Sequence, residues 1–196
     1  MKMPPLETER LLIRPFEMAD FEAIHRILDF ELEDTIYDDP GLAQVRDARR
    51  RWLQWISLNP DELAALYQPP YGDRAVVLKQ TGEVIGACGY APILMPLEQI
   101  PYFQTEKSRV PVRHVNEFGL YWAISTVHQR QGYATEAGRA LIDYAFDRLN
   151  LKRIVANTDY DNLASQGVMR KLGMTILQNP DPEPPWMQII AVLENA

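Results

Sequence analysis

Residues 129–136 read Gln129-Arg130-Gln131-Gly132-Tyr133-Ala134-Thr135-Glu136, and they constrain this chain more than any other stretch. They follow an apolar run at 118–124 that reads as a strand and precede an amphipathic run at 134–149 that reads as a helix. A strand that enters a helix through a short glycine-containing turn leaves the first N–H groups of that helix without intrahelical partners. Together with the partial positive charge of the helix end, those groups form an anion site suited to the diphosphate of a cofactor. Gly132 has no Cβ, so a phosphate can approach its backbone. The loop has no Gly-Lys-Ser/Thr and is not a P-loop; it has no Gly-x-Gly-x-x-Gly and is not a dinucleotide fingerprint.

Ala134, Ala137, Leu141, Ala145 and Leu149 share one face of the helix, while Glu136, Arg139, Asp143 and Asp147 share the other. Glu136 and Arg139 are spaced to pair along it. Small residues in its first turns allow close approach to a sheet. Upstream, 11–16 reads as a short strand, followed by a helix from Ala19 with Asp20 as a cap. A break at 38–41 precedes a second helix over 43–58, which Asn59-Pro60 ends. Strands at 75–79 and 83–91 form a hairpin across Gln80-Thr81-Gly82. Residues 92–114 contain proline, lack periodicity and read as a long loop.

Beyond the 117–149 segment come a strand at 152–158, a helix over 162–172 closed by Gly173, a strand at 174–177, a proline-rich turn and a last strand at 187–193. Strands joined by a full helix are normally parallel, with a right-handed crossover. The fold class is therefore mixed α/β (α+β), a sheet flanked by helices, and residues 1–196 read as one domain.

The net charge of −7 opposes direct, non-specific binding to nucleic acid, although Arg130, Arg139, Lys152, Arg153, Arg170 and Lys171 gather in the C-terminal half. The lone cysteine, Cys88, precludes an intrachain disulfide and reads as a buried small residue. No run approaches the roughly 20 apolar residues of a membrane span. The expected setting is cytoplasmic, with no membrane partner, and no metal site is read from the sequence.

The segments Gln129-Arg130-Gln131-Gly132-Tyr133-Ala134, Asn162-x-x-Ser165 and Lys171-Leu172-Gly173-Met174, with the opening Thr8-Glu9-Arg10-Leu11-x-Ile13-Arg14, resemble the GNAT superfamily of acetyl-CoA-dependent N-acetyltransferases. Within it they resemble the branch of Rim-type ribosomal-protein N-terminal acetyltransferases. That resemblance implies a mostly antiparallel central sheet containing one parallel, splayed strand pair. It implies acetyl-CoA as co-substrate, with the pyrophosphate on the N–H groups of Gln129, Arg130, Gln131, Gly132, Tyr133, Ala134 and Thr135. The pantetheine arm would run along Trp122, Ala123 and Ile124, and Asn162 and Ser165 would approach the arm and thioester. Many relatives carry glycine where Arg130 stands; its side chain either faces solvent or contacts phosphate. Many relatives also form homodimers.

Moving an acetyl group from a thioester to an amine needs a base for the amine, donors for the developing oxyanion and a proton for the thiolate. The donor is already activated, so no enzyme nucleophile is needed, and no convincing Ser–His–Asp or Cys–His set is present. The resemblance places the base at Glu117, acting through a water, with His114 as rival. It places the acid at Ser165, with Tyr160 as rival. The expected acceptor is a primary amine, on a small molecule or a protein N-terminus, and the acidic stretch 31–39 is a candidate for attracting it. The alternative function is a non-catalytic acyl-CoA-binding or sensing module.

Overall fold

Alternating burial along Leu11–Pro15, with Leu11 and Ile13 fully buried, sets one face of the first long strand into a core. The computed structural model describes residues 2–33, 42–106 and 112–195; the break at 38–41 and most of the acidic stretch lie outside them. The fold is mixed α/β, with eight strands and four α-helices among the described residues. The chain divides into two compact units, Met1–Tyr90 with Tyr121–Leu141, and Ala91–Leu120 with Ile142–Ala196.

In the first unit, strands β1 (Leu6–Glu7), β2 (Leu11–Pro15), β3 (Gly72–Leu78) and the start of β4 (Val84–Met95) pair antiparallel in chain order. The expected single helix from Ala19 is three short pieces: a 3-10 turn at Met18–Asp20, α1 (Phe21–His25) and a π-helical stretch at Arg26–Glu31. Phe21, Ile24, Ile27 and Leu28 pack with Leu53, Ile56, Ala75 and Val77.

Helix α2 (Leu42–Ala65) runs straight past Pro60, where the sequence suggests a stop. Proline removes one backbone bond and costs about 3 kcal/mol inside a helix. The apolar stripe of Leu53 and Ile56 continues to Leu63, which is buried, and burying one such side chain contributes roughly 1.5–3 kcal/mol. Burial on the far side of the proline thus offsets a local preference for ending the helix.

Strand β5 (Val115–Ile124), which lies in the second unit up to Leu120, and β6 (Arg153–Thr158) run parallel, registered at the pair Gly119 and Val155. This is the parallel pair that the resemblance implies within a mostly antiparallel sheet. A Cβ on Gly119 would stand 2.3 Å from Ile93 Cδ1, so a side chain there would displace the tip of Ile93. Next in the unit's sheet, β6 pairs antiparallel with β8 (Ile189–Glu194), and β8 with β7 (Thr175–Gln178). Helix α3 (Tyr133–Asp147) has residues in both units, and α4 (Leu163–Lys171) belongs to the second.

Of the region expected to be one long loop, 92–114, the part up to Phe103 is largely regular, and 107–111 lie outside the described residues. Strand β4 continues to Met95, and 3-10 turns follow at Leu97–Gln99 and Pro101–Phe103. Met95, Leu97 and Ile100 are buried with Val155, Met187, Ile190 and Val192. Their spacing in an irregular segment matches neither a helix nor a strand, so no periodicity reveals them.

Candidate functional site

Strand β5 ends at Ile124, and Ser125, fully buried, donates its N–H to the Ile85 carbonyl at 2.8 Å. A 3-10 turn at Thr126–His128 leads into the loop, and α3 begins at Tyr133. Arg130 and Gly132 both sit in the left-handed region, at φ of 60° and 87°. The first bond of the helical ladder is Glu136 N–H to the Gly132 carbonyl, 2.9 Å. The N–H groups of Tyr133, Ala134 and Thr135 therefore precede the ladder and are open to an anion. A Cβ built on Gly132 meets only the tip of Arg10, at 3.4 Å, so the backbone there can be approached closely.

Two motif side chains hold the loop to itself. Gln129 Nε2 donates to the Ile124 carbonyl at 3.0 Å, and Gln131 Nε2 to the Val127 carbonyl at 3.2 Å. What these residues can offer a ligand is backbone. Trp122 and Ala123 are half-buried at the end of β5, and the carbonyl of Ile124 already accepts Gln129.

The loop is also gripped by residues that the sequence does not mark for this role. Glu31 Oε2 accepts from the Ser125 hydroxyl, from Thr126 N–H at 2.9 Å and from the Thr126 hydroxyl at 3.3 Å, and Glu31 pairs with Arg26. Glu31 is thus an internal brace, not part of an open acidic rim. Burial pushes its carboxyl up, but the Ser125 hydroxyl, Thr126 and Arg26 together hold it below the usual range.

Glu136 accepts from the Thr8 hydroxyl at 2.5 Å, from Arg10 N–H at 2.9 Å and from Arg10 Nε at 2.7 Å. It too lies below the usual range: burial raises it, and the Thr8 and Arg10 donors outweigh burial. The sequence spacing pairs Glu136 with Arg139 along the helix; the structure also engages it with a segment 126 residues away. The only sequence signal for that contact is the Thr8-Glu9-Arg10 opening itself.

The remaining candidates lie in the second unit. Glu117 is buried, and both its oxygens accept from Arg153, with Nε at 3.1 Å from Oε1 and 3.0 Å from Oε2. Arg153 also stands 3.7 Å from Glu194 and 5.0 Å from the centre of the Phe103 ring. The Glu117 bond raises the Arg153 pKa further. His114, the rival base, is exposed just before β5. Tyr160 donates its hydroxyl to the Asn179 carbonyl at 2.9 Å. Asn162 is the N-cap of α4, its Oδ1 accepting the Ser165 N–H at 3.0 Å. The cap is thus made by Asn162 rather than by the Ser165 hydroxyl, and Ser165 is half-buried.

A strand, a loop with two left-handed residues and a helix start presenting N–H groups ahead of its ladder together make an arrangement suited to an anion. The sequence matches the acetyltransferase (GNAT) domain family over residues 10–175. The chain belongs to that family. Its co-substrate is acetyl-CoA, the family's acetyl donor, and the open backbone at Gly132 with the helix start behind it fits the diphosphate.

The acetyltransferase is 28% identical over 171 residues to the uncharacterized N-acetyltransferase YnaD of Bacillus subtilis, covering 86% of this chain and 81% of that one. It is similar in structure to an acetyltransferase from Agrobacterium tumefaciens, with a TM-score of 0.68, 25% identity and coverage of 99% and 96% of the two chains. RimL, a ribosomal-protein alpha-N-protein acetyltransferase in complex with coenzyme A, shares the fold, with a TM-score of 0.61, 14% identity and 97% of each chain covered. Among the described residues, no helix of the acetyltransferase is long and apolar enough to cross a membrane.

Proposed function

We propose that this acetyltransferase moves the acetyl group of acetyl-CoA directly to a primary amine, on a small molecule or a protein N-terminus. The observation that carries the reading is the 129–135 loop, with Arg130 and Gly132 in left-handed backbone ahead of unladdered N–H groups. In this reading the N–H groups of Gln129 to Thr135 bind the diphosphate, and Trp122, Ala123 and Ile124 border the pantetheine arm. Asn162 orders the start of α4, where Ser165 offers its hydroxyl as the acid for the leaving thiolate. Glu117 takes the amine's proton through a water. The two-oxygen grip of Arg153 fixes the direction of that carboxylate.

The whole chain acts as one catalytic domain in this proposal, in the cytoplasm. A protein N-terminus as acceptor draws support from the Rim-type motifs and from RimL's described activity on a ribosomal protein.

The rival is a non-catalytic acyl-CoA-binding module, and the grip of Arg153 on Glu117 is the observation on its side. Calorimetry with acetyl-CoA comes first, with Gly132→Trp as the control that fills the loop. Saturable binding lost in the control supports the site, and free-thiol release on a panel of amines then supports transfer. Binding without turnover on any small amine or N-terminal peptide favours the module. Wild-type protein that fails to bind acetyl-CoA sinks both.

A further inference from the structure

Two carboxylates flank the loop that receives the diphosphate, Glu31 where it begins and Glu136 in the first turn of α3. Left bare, each would repel an anion held between them. Each is instead matched by an arginine, Arg26 on Glu31 and Arg10 on Glu136.

Arg10 does more than neutralise. Its Nε and Nη2 reach Glu136 Oε2 at 2.7 and 2.6 Å, while Nη1 donates to the Gln131 carbonyl at 3.0 Å. Its guanidinium lies 4.3 Å from the centre of the Tyr133 ring. One planar fork thus touches the loop on both sides of Gly132. In a trans peptide the C=O and the following N–H point in opposite directions. Holding the Gln131 carbonyl toward Arg10 therefore aims the Gly132 N–H away from Arg10, toward the side left open to a ligand. Lysine, a single ammonium without a fork, cannot make the carbonyl, carboxylate and ring contacts together.

We propose that Arg10 is a positioning residue for acetyl-CoA: it cancels the charge of Glu136 and sets the Gln131–Tyr133 backbone before the diphosphate arrives. The inference rests on the reading of this loop as the diphosphate site. It assigns the Thr8-Glu9-Arg10 opening a role in cofactor affinity, through the loop rather than by touching the reacting atoms. Thr8 supports the same arrangement by bonding the other Glu136 oxygen.

The test compares the wild type with Arg10→Ala, Arg10→Lys and Arg10→Ala/Glu136→Gln in the full chain. Acetyl-CoA dissociation constants come from calorimetry, and hydrogen exchange of the unliganded protein is followed on peptides spanning 127–137 and 153–158. Arg10→Ala is expected to weaken binding about tenfold, the scale of one lost charge-assisted contact. Its exchange should quicken at 127–137 and stay unchanged at 153–158.

Removing the unbalanced charge of Glu136 in the double variant should recover about threefold of the loss, a gain that mere structural damage would not produce. Arg10→Lys should fall between, and it carries the test if Arg10→Ala does not fold. Wild-type-like binding by Arg10→Lys, Arg10→Ala within twofold of wild type, or a double variant no tighter than Arg10→Ala overturns the inference while the diphosphate reading stands. No binding by the wild type overturns that reading, and the inference with it.

Discussion

Arg130→Gly separates the backbone of the loop from its side chains. At φ 60° the Cβ of an L-residue crowds the following carbonyl, which costs about 1–2 kcal/mol, whereas glycine adopts this conformation freely. Against that gain, glycine enlarges the unfolded ensemble by about 0.4–1 kcal/mol. Arg130 is exposed, so little packing is lost. The balance is a stabilisation of about 0.5–1 kcal/mol, or roughly 1–4 °C in Tm for a chain of this size. Urea unfolding and calorimetry read it directly.

The same variant tests the side chain, because a guanidinium that reaches the diphosphate contributes about 1 kcal/mol or more to binding, roughly fivefold in the acetyl-CoA Kd. Stability should rise while affinity falls. A fall in Tm would refute the strain argument, since relief of the strain should exceed the entropic cost of glycine and little packing is lost. An unchanged Kd would leave Arg130 as a solvent-facing residue whose backbone alone serves the loop.

Glu117→Gln keeps the shape but breaks the charge pair with Arg153. Because Arg153 retains Glu194 and the Phe103 ring, the cost falls below the roughly 3–5 kcal/mol of an uncompensated buried charge, at about 2 kcal/mol by chemical unfolding, and a loss below 0.5 kcal/mol contradicts the paired geometry. If Glu117 is also the base, turnover at saturating acetyl-CoA falls about 100-fold or more; turnover within threefold of wild type removes that role. Burial pushes the Cys88 thiol up to about 12, with Asp73 adding and Arg74 subtracting. A disulfide reagent at pH 8 should accordingly modify it only as fast as the protein opens, and prompt labelling of native protein counts against a sealed core. Glu31 and Glu136 both titrate below their unfolded values. Their contribution is therefore present above the unfolded carboxylate pKa of about 4.3 and is lost as pH falls through the folded values. Glu136→Gln should flatten the acid limb of a stability–pH profile, and an unchanged limb refutes the assignment.

The loop from β5 to α3 was legible because it is made by neighbours in the chain. An apolar run, a glycine and an amphipathic helix are local patterns, and the free N–H groups at a helix start follow from helix geometry alone. The N-cap at Asn162 was legible as part of a motif, although its local job, receiving the Ser165 N–H, became clear only in the structure. The course of 92–106 was not legible. Its core residues Met95, Leu97 and Ile100 sit at a strand end, in a 3-10 turn and between two such turns, and their burial depends on Val155, Met187 and Ile190, far along the chain. Pro60 misled for a related reason: the preference of one residue for ending a helix is weaker than the burial of the stripe that continues past it.

By itself, the sequence determined the α/β class, the strand–loop–helix unit and the family, because each depends on periodicity and on motifs within a few turns of chain. Only the tertiary structure decided what the charged residues do. Glu117 meets Arg153 across 36 residues and Glu136 meets Arg10 across 126. Pairing at that range is set by the path of the backbone through the fold, which decides the donors that each carboxylate meets.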